Sequence, residues 1–217
     1  MIYVLKADNS NWRAVLEAIR LSIHEVESVD FDDVRLLKRG SVLVIPGVGH
    51  MQHFQRQLTD SMSPDDFADF IRSSDIRVLG ICLGFQLMSK YSFEGEGLKC
   101  LSLFDSEVVQ LHDPLRPSVG WKKLALNSAA CLGAETLAKH LLEHSFYFTH
   151  SYGVLNMSDL PSACTSFVCD LEGGRQVLSA LITEKFVGFQ FHPEKSSRPG
   201  LELLCNSLKF LGNHHEQ

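Results

Sequence analysis

Residues 76–88 read IRVLGICLGFQLM. The first six are almost unbroken apolar residues, the pattern of a strand buried on both faces. Residues 83–91 then follow with helical character, and Cys82 stands at the junction between Gly80 and Gly84. A strand running straight into a helix is the repeating unit of a parallel α/β sheet. A side chain on the sharp turn between them is pushed out at the carboxyl end of a central strand, the edge where open α/β sheets bind ligands. The arrangement is a nucleophile elbow, with the two glycines letting backbone crowd together where a Cβ would clash. The helix start behind Cys82 favours the thiolate, which is the nucleophilic form of cysteine. The N–H of Leu83 is then free to face an oxyanion. A lone cysteine in an apolar stretch is, on this motif alone, more usually a buried, inert side chain.

The same alternation extends outward. Residues 2–5 read as a strand, and Asn11 as the N-cap of a helix with Trp12, Val15, Leu16, Ile19 and Ile23 on one face. SVLVIPG (41–47) is a second buried strand, and residues 50–60 and 64–73 read as helices, the latter started by Ser63-Pro64. The second half is richer in strands, with segments 98–104, 106–111, 121–126, 146–149, 163–169, 177–183 and 186–191 expected. A short helix over 133–143 and a final one over 200–211, with Leu201, Leu204, Leu208 and Leu211 on one stripe, complete the pattern. The expected fold is α/β: an open, mostly parallel sheet flanked by helices, with additional antiparallel strands, as one domain over 1–217.

Composition narrows the function. The chain has 217 residues, 45% of them hydrophobic, and a formal charge of −6, which disfavours a nucleic-acid surface. No apolar run reaches the ~18 residues of a membrane span. The opening MIYVLKADNS reads as a first strand rather than a signal peptide. Six cysteines (Cys82, Cys100, Cys131, Cys164, Cys169, Cys205) form no C-x-x-C pair, so neither zinc nor a disulfide framework is expected, and a reducing, cytoplasmic setting is.

A cysteine nucleophile needs a base and a group that orients the base. Of ten histidines, His24, His112, His140 and His144 read as surface residues, and His214 and His215 lie in the tail. His192 differs: FVGFQFHPEKS (186–196) carries a buried-strand pattern straight into His192-Pro193-Glu194. Proline ends the strand. Glu194, two residues on, would face the same way as His192 in extended geometry. A capped strand end with a solvated glutamate is the plainer alternative. The third piece is Pro46-Gly47-Val48-Gly49 after the 41–47 strand, a loop suited to an oxyanion hole or to a simple strand-to-helix turn.

Together these stretches resemble the class I (triad) glutamine amidotransferases. PGVG (46–49), GICLGFQLM (80–88), PSVGW (117–121), YFTHSY (147–152) and GFQFHPEKS (188–196) carry the resemblance in the family's order. Within that family the chain is similar to the glutaminase subunits of imidazole glycerol phosphate synthase. The resemblance implies a flavodoxin-like sheet and hydrolysis of L-glutamine, with no cofactor or metal. It implies Cys82 as nucleophile, His192 as acid/base and Glu194 as its orienter. Val48, Gly49 and Leu83 would form the oxyanion hole. Gln86, Glu94, Ser151 and Tyr152 would bind substrate. Trp121 and Lys195 would face a (β/α)8 synthase subunit that forms a heterodimer with this chain and receives its ammonia.

The segment PSVGWK departs from the family's usual PHMGWN, and the early loop retains only Asn11 of the usual GxGN. These departures keep a second partner in view, a related synthase acting on a sugar nucleotide. A non-catalytic assembly partner and a stand-alone hydrolase of γ-glutamyl compounds are the remaining alternatives.

Overall fold

The computed structural model describes every residue except 9, 112–116, 172–173 and 214–217, and the side chain of residue 213. His112, His214 and His215 therefore lie outside the described residues. In chain order the elements are β1 (Ile2–Leu5), α1 (Trp12–Arg20), β2 (Val26–Val29), β3 (Val42–Ile45), α2 (Met51–Ser61), α3 (Pro64–Ser73), β4 (Arg77–Ile81) and α4 (Leu83–Leu87). There follow β5 (Tyr91–Ser92), β6 (Leu98–Lys99), β7 (Glu107–Gln110), β8 (Ser118–Lys123), β9 (Ala125–Ala129) and α5 (Glu135–Glu143). The chain ends with β10 (Ser145–His150), β11 (Tyr152–Val154), β12 (Thr165–Asp170), β13 (Gln176–Ile182), β14 (Phe186–Phe189) and α6 (Ser197–Asn213).

The main sheet has eight strands in the order β2-β1-β3-β4-β14-β13-β12-β9. The first five are mutually parallel and the last three join antiparallel. The strands β3, β4 and β14 are thus immediate neighbours running the same way, with Ile45 beside Gly80 and Ile81 beside Phe189. Their carboxyl ends deliver the 46–49 loop, Cys82 and the 190–192 segment to one edge. Smaller sheets, β10-β8 and β11-β7-β5-β6, wall the same end.

Strand alternation sorts the core onto two faces. Val42, Val44, Leu79 and Ile81 pack with Val15, Leu16 and Ile19 of α1, Leu137 and Leu141 of α5, and Leu204, Leu208 and Leu211 of α6. Leu43, Ile45 and Val78 pack on the other side with Met51, Phe54 and Leu58 of α2, Phe67 and Ile71 of α3, and Phe85 of α4. Both faces are covered, which is why the central strands read as continuous apolar runs.

Most expected elements are present, with shifts at their ends. The helix after Cys82 closes at Leu87 rather than continuing to residue 91, and Tyr91–Ser92 is a short strand. The expected strand over 98–104 is only Leu98–Lys99, and the one over 121–126 is a pair, β8 and β9. The edge strand β2 and the short β11 have no counterpart in the sequence reading. His140 and His144 are half-buried rather than on the open surface, with rings stacked at 4.4 Å. No helix among the described residues is long and apolar enough to cross a membrane.

Candidate active site

The elbow forms as expected. Cys82 has φ 50° and ψ −103°, a conformation that an L side chain adopts only under strain. The turn is pinned by Cys82 N–H donating to Phe189 O at 2.7 Å. Close approach explains the glycines. A Cβ on Gly84 would run into the Ile45 carbonyl, and one on Gly80 would lie 2.8 Å from the Phe85 backbone. Both are backbone contacts that no rotamer change relieves.

His192 lies three residues past the end of β14, fully buried. Its N–H donates to Tyr147 O at 3.0 Å, and its carbonyl accepts from Ser196 Oγ at 2.6 Å. Its Nδ1 meets Glu194 Oε1 at 2.7 Å, with both side chains almost wholly buried. The route to this contact differs from the extended i, i+2 geometry expected. Pro193–Lys195 is a 3-10 turn, and it folds the carboxylate back onto the ring. Burial opposes protonation of His192, yet interactions with Cys82 and Glu194 outweigh it and raise the pKa from 6.5 to about 9. The Nε2 atom, on the Cys82 side, makes no closed hydrogen bond. Such loose contacts are usual before substrate arrives.

Asn11 also departs from its expected role. It stands at the N-cap position of α1 but caps nothing with its side chain. Instead its Nδ2 donates to Glu194 Oε1 at 2.6 Å, so one carboxylate oxygen holds both the imidazole and the amide. No short-range pattern reveals a contact spanning 183 positions.

These groups border a cleft of about 400 Å³, within the usual range for small-molecule sites. Cys82, His192, Val48, Gly49, Leu83, Gln86, Glu94, Ser151, Tyr152 and Lys195 all line it. Glu194 stands behind His192. Trp121 lies outside the cleft on β8 and is exposed, its ring edge-on to Tyr147 at 6.0 Å. The buried Glu94 accepts from the Met51 backbone at 3.3 Å and meets His50 Nδ1 at 3.1 Å. Of the PSVGWK departures, Ser118 is buried beside His150 in the β8–β10 pair and Val119 is exposed.

Two features were not anticipated from sequence. The Leu83 N–H donates to Gly47 O at 3.4 Å, so the loop carbonyl occupies the donor expected to face an oxyanion. The side chain of Gln190, in the same strand extension as His192, reaches Cys82 Sγ at 3.6 Å. A lone amide inside the apolar run 186–191 was the available signal for the second.

All six cysteines are free and buried. Burial pushes the Cys100 thiol up to about 12 and Cys131 to about 11, and raises Cys164 and Cys169 as well. Such thiols stay protonated and unreactive. No group of three or more His, Cys, Asp or Glu side chains among the described residues is arranged to hold a metal ion.

Comparison with known proteins bears on the family and the fold. The family described as "Glutamine amidotransferase class-I" matches residues 4–210. Imidazole glycerol phosphate synthase subunit HisH of Bacteroides fragilis is 33% identical over 213 residues, covering 96% of this chain and 98% of that one. The HisH protein of Pasteurella multocida is 35% identical over 181 residues, covering 82% and 83%. Among solved structures, a Thermoplasma acidophilum protein superposes with a TM-score of 0.67 at 19% identity, covering 99% of this chain and 95% of its own. A match across nearly the whole chain, and relatives at this identity and coverage, establish that the chain belongs to the class I glutamine amidotransferase family.

Proposed function

We propose that this chain, as a single glutaminase domain, is the glutamine-hydrolysing subunit of an imidazole glycerol phosphate synthase in histidine biosynthesis. It would hand ammonia to a (β/α)8 synthase subunit bound as a heterodimer. The observation that carries the reading is the buried Cys82–His192–Glu194 line on one wall of a glutamine-sized cleft. The relatives' shared name extends it to the pathway.

In this mechanism the Cys82 thiolate attacks the side-chain amide carbon of glutamine, and its C=O electrons move to oxygen. The developing charge is met by backbone N–H groups of Leu83 and the 48–49 loop. His192, protonated and held by Glu194, gives its proton to the amide nitrogen as the C–N bond breaks, releasing ammonia. The γ-glutamyl thioester remains on Cys82. Water, losing a proton to His192, adds to the thioester, and glutamate leaves with the thiolate restored. Glu94, with Ser151 and Tyr152, would hold the substrate's amino-acid end. Gln86 would contribute through its carbonyl oxygen, because its amide nitrogen already donates to Tyr152 O at 2.7 Å and Gln190 Oε1 at 3.0 Å. With Leu83 N–H engaged by Gly47 O, the oxyanion donor must be released, which predicts weak activity for the chain alone.

The test is glutamate release from glutamine by the purified chain, with and without a histidine-pathway synthase subunit of the same genome carrying its substrate. Strong stimulation is expected. Cys82→Ala should abolish glutamine-dependent synthesis while ammonia-dependent synthesis by the complex persists. Slow, Cys82-dependent hydrolysis that this synthase leaves unchanged would preserve the chemistry and overturn the partner.

A further inference from the structure

Gln190 is the only fully buried polar side chain in the apolar segment 186–191, and both ends of its amide are engaged. Its Oε1 accepts from Gln86 Nε2 at 3.0 Å, and its own Nε2 donates to Cys82 Sγ at 3.6 Å, an ordinary length for a donor to the large sulfur atom. The orientation of the amide is set by its neighbours. Gln86 Nε2 also donates to the Tyr152 carbonyl at 2.7 Å, which fixes Gln86 as a donor toward Gln190. Gln190 must then present oxygen to Gln86 and N–H to the sulfur. The backbone of Gln190 is itself held, its N–H donating to Ser179 O at 2.9 Å. A relay of three fixed groups, Tyr152 carbonyl, Gln86 and Gln190, therefore ends on the nucleophile.

We infer that Gln190 is a positioning residue for the reaction: its amide N–H holds Cys82 Sγ in the elbow and favours the anionic over the protonated sulfur. The inference rests on the proposed role of Cys82 as nucleophile. A donor aimed at sulfur from a dry wall stabilises negative charge there more than it stabilises the neutral thiol. Other titratable groups bear on the same atom. His192 faces it with Glu194 behind, and Glu94, His50, His150 and Lys195 line the shared cleft.

The experiment is alkylation of the full chain by iodoacetamide, read as modification of the Cys82 peptide by mass spectrometry. Wild type is compared with Gln190→Met and Gln190→Glu, alongside kcat and KM for glutamine in the complex with the synthase subunit. Gln190→Met fills the volume without a donor and should slow Cys82 alkylation about ten-fold at neutral pH. The deficit should close as the pH is raised, and kcat should fall about ten-fold with KM changed less than two-fold. Gln190→Glu keeps the shape and the acceptor for Gln86 but sets a carboxylate against the sulfur, so its effect should be larger. If Gln190→Met fails to fold, the glutamate variant decides. Alkylation within two-fold of wild type in the folded variants, or a slowing that is the same at every pH, would overturn the inference. Cys82→Ala, run in parallel, separates the two readings. If it retains glutaminase activity, the nucleophile assignment falls; if it is inactive while the Gln190 variants alkylate normally, only the role of Gln190 falls.

Discussion

The strain at Cys82 is a property of one residue's backbone. A φ of 50° with ψ −103° is the mirror image of an ordinary extended conformation, open to glycine and costly for any residue with a Cβ. Strain of this kind is worth about 1–3 kcal/mol and outweighs the roughly 0.5–1 kcal/mol of extra chain entropy that glycine loses on folding. Cys82→Gly should therefore unfold at higher denaturant than Cys82→Ala, by about 1 kcal/mol, with both inactive on glutamine. Equal stability of the two would mean the elbow is not strained. His192 makes a second prediction at this scale. Its pKa is raised in the folded chain, from 6.5 to about 9, against the opposing effect of burial. The imidazolium is thus preferentially bound by the native state. The stability it adds is complete below about pH 6.5 and is lost as the pH climbs through about 9. Urea midpoints of wild type should fall over that window more steeply than those of His192→Asn, and parallel curves would contradict the assignment.

At the scale of elements, the site depends on how closely α4 lies on the sheet. Gly84 has no room for a Cβ, because the Ile45 carbonyl of the neighbouring strand already occupies that space. Gly84→Ala must separate α4 from β3 or distort the elbow. The expected loss is about 3 kcal/mol, a drop of roughly 6–12 °C in Tm for a chain of this size, measured by thermal unfolding. A variant that melts with wild type would show that the close contact is dispensable. The glycines around Cys82 were legible in the sequence for this reason, since a local steric demand leaves a local pattern. So were β3, β4 and β14, whose two-sided burial writes apolar runs, and α3, where Ser63 Oγ accepts from Asp66 N–H at 3.0 Å as an N-cap should. The edge strand β2 was not, because HEVESVD has only two apolar residues, Val26 and Val29, which pack on opposite faces and so show no two-residue period, and its pairing with β1 is decided by the sheet. Neither was the contact from Asn11 to Glu194, nor the relay through Gln190. Both join segments far apart in sequence, and periodicity carries no information about which polar side chains will meet.

The whole molecule presents the cleft on the face formed by the carboxyl ends of β3, β4 and β14, and that face continues onto β8. There Val119 and Trp121 are 53% and 54% exposed, beside Pro117 and Lys195 at the cleft rim. In the proposed mechanism ammonia released at Cys82 would leave through this rim, and in open water it would be protonated and lost as a nucleophile. A synthase subunit must therefore seal the rim for the proposed transfer to work, and an exposed tryptophan next to it is the type of side chain that anchors such contacts. Trp121 is on β8, where Ser118 is buried, opposite β10, where Phe148 is buried, and its ring meets the edge of Tyr147. Removing it should leave the fold intact. Trp121→Ala is expected to raise the Kd for the synthase subunit roughly 30-fold, equivalent to about 2 kcal/mol. Basal glutaminase activity of the isolated chain should stay within two-fold of wild type. Stimulation at sub-saturating partner should collapse and be recovered by excess partner, because the defect is in docking and not in the chemistry. Calorimetric titration of the two subunits, followed by glutamate release at two partner concentrations, measures both quantities. An unchanged Kd would move the interface off β8, and a loss of stimulation that excess partner does not restore would instead make Trp121 part of the path by which the partner frees the Leu83 N–H.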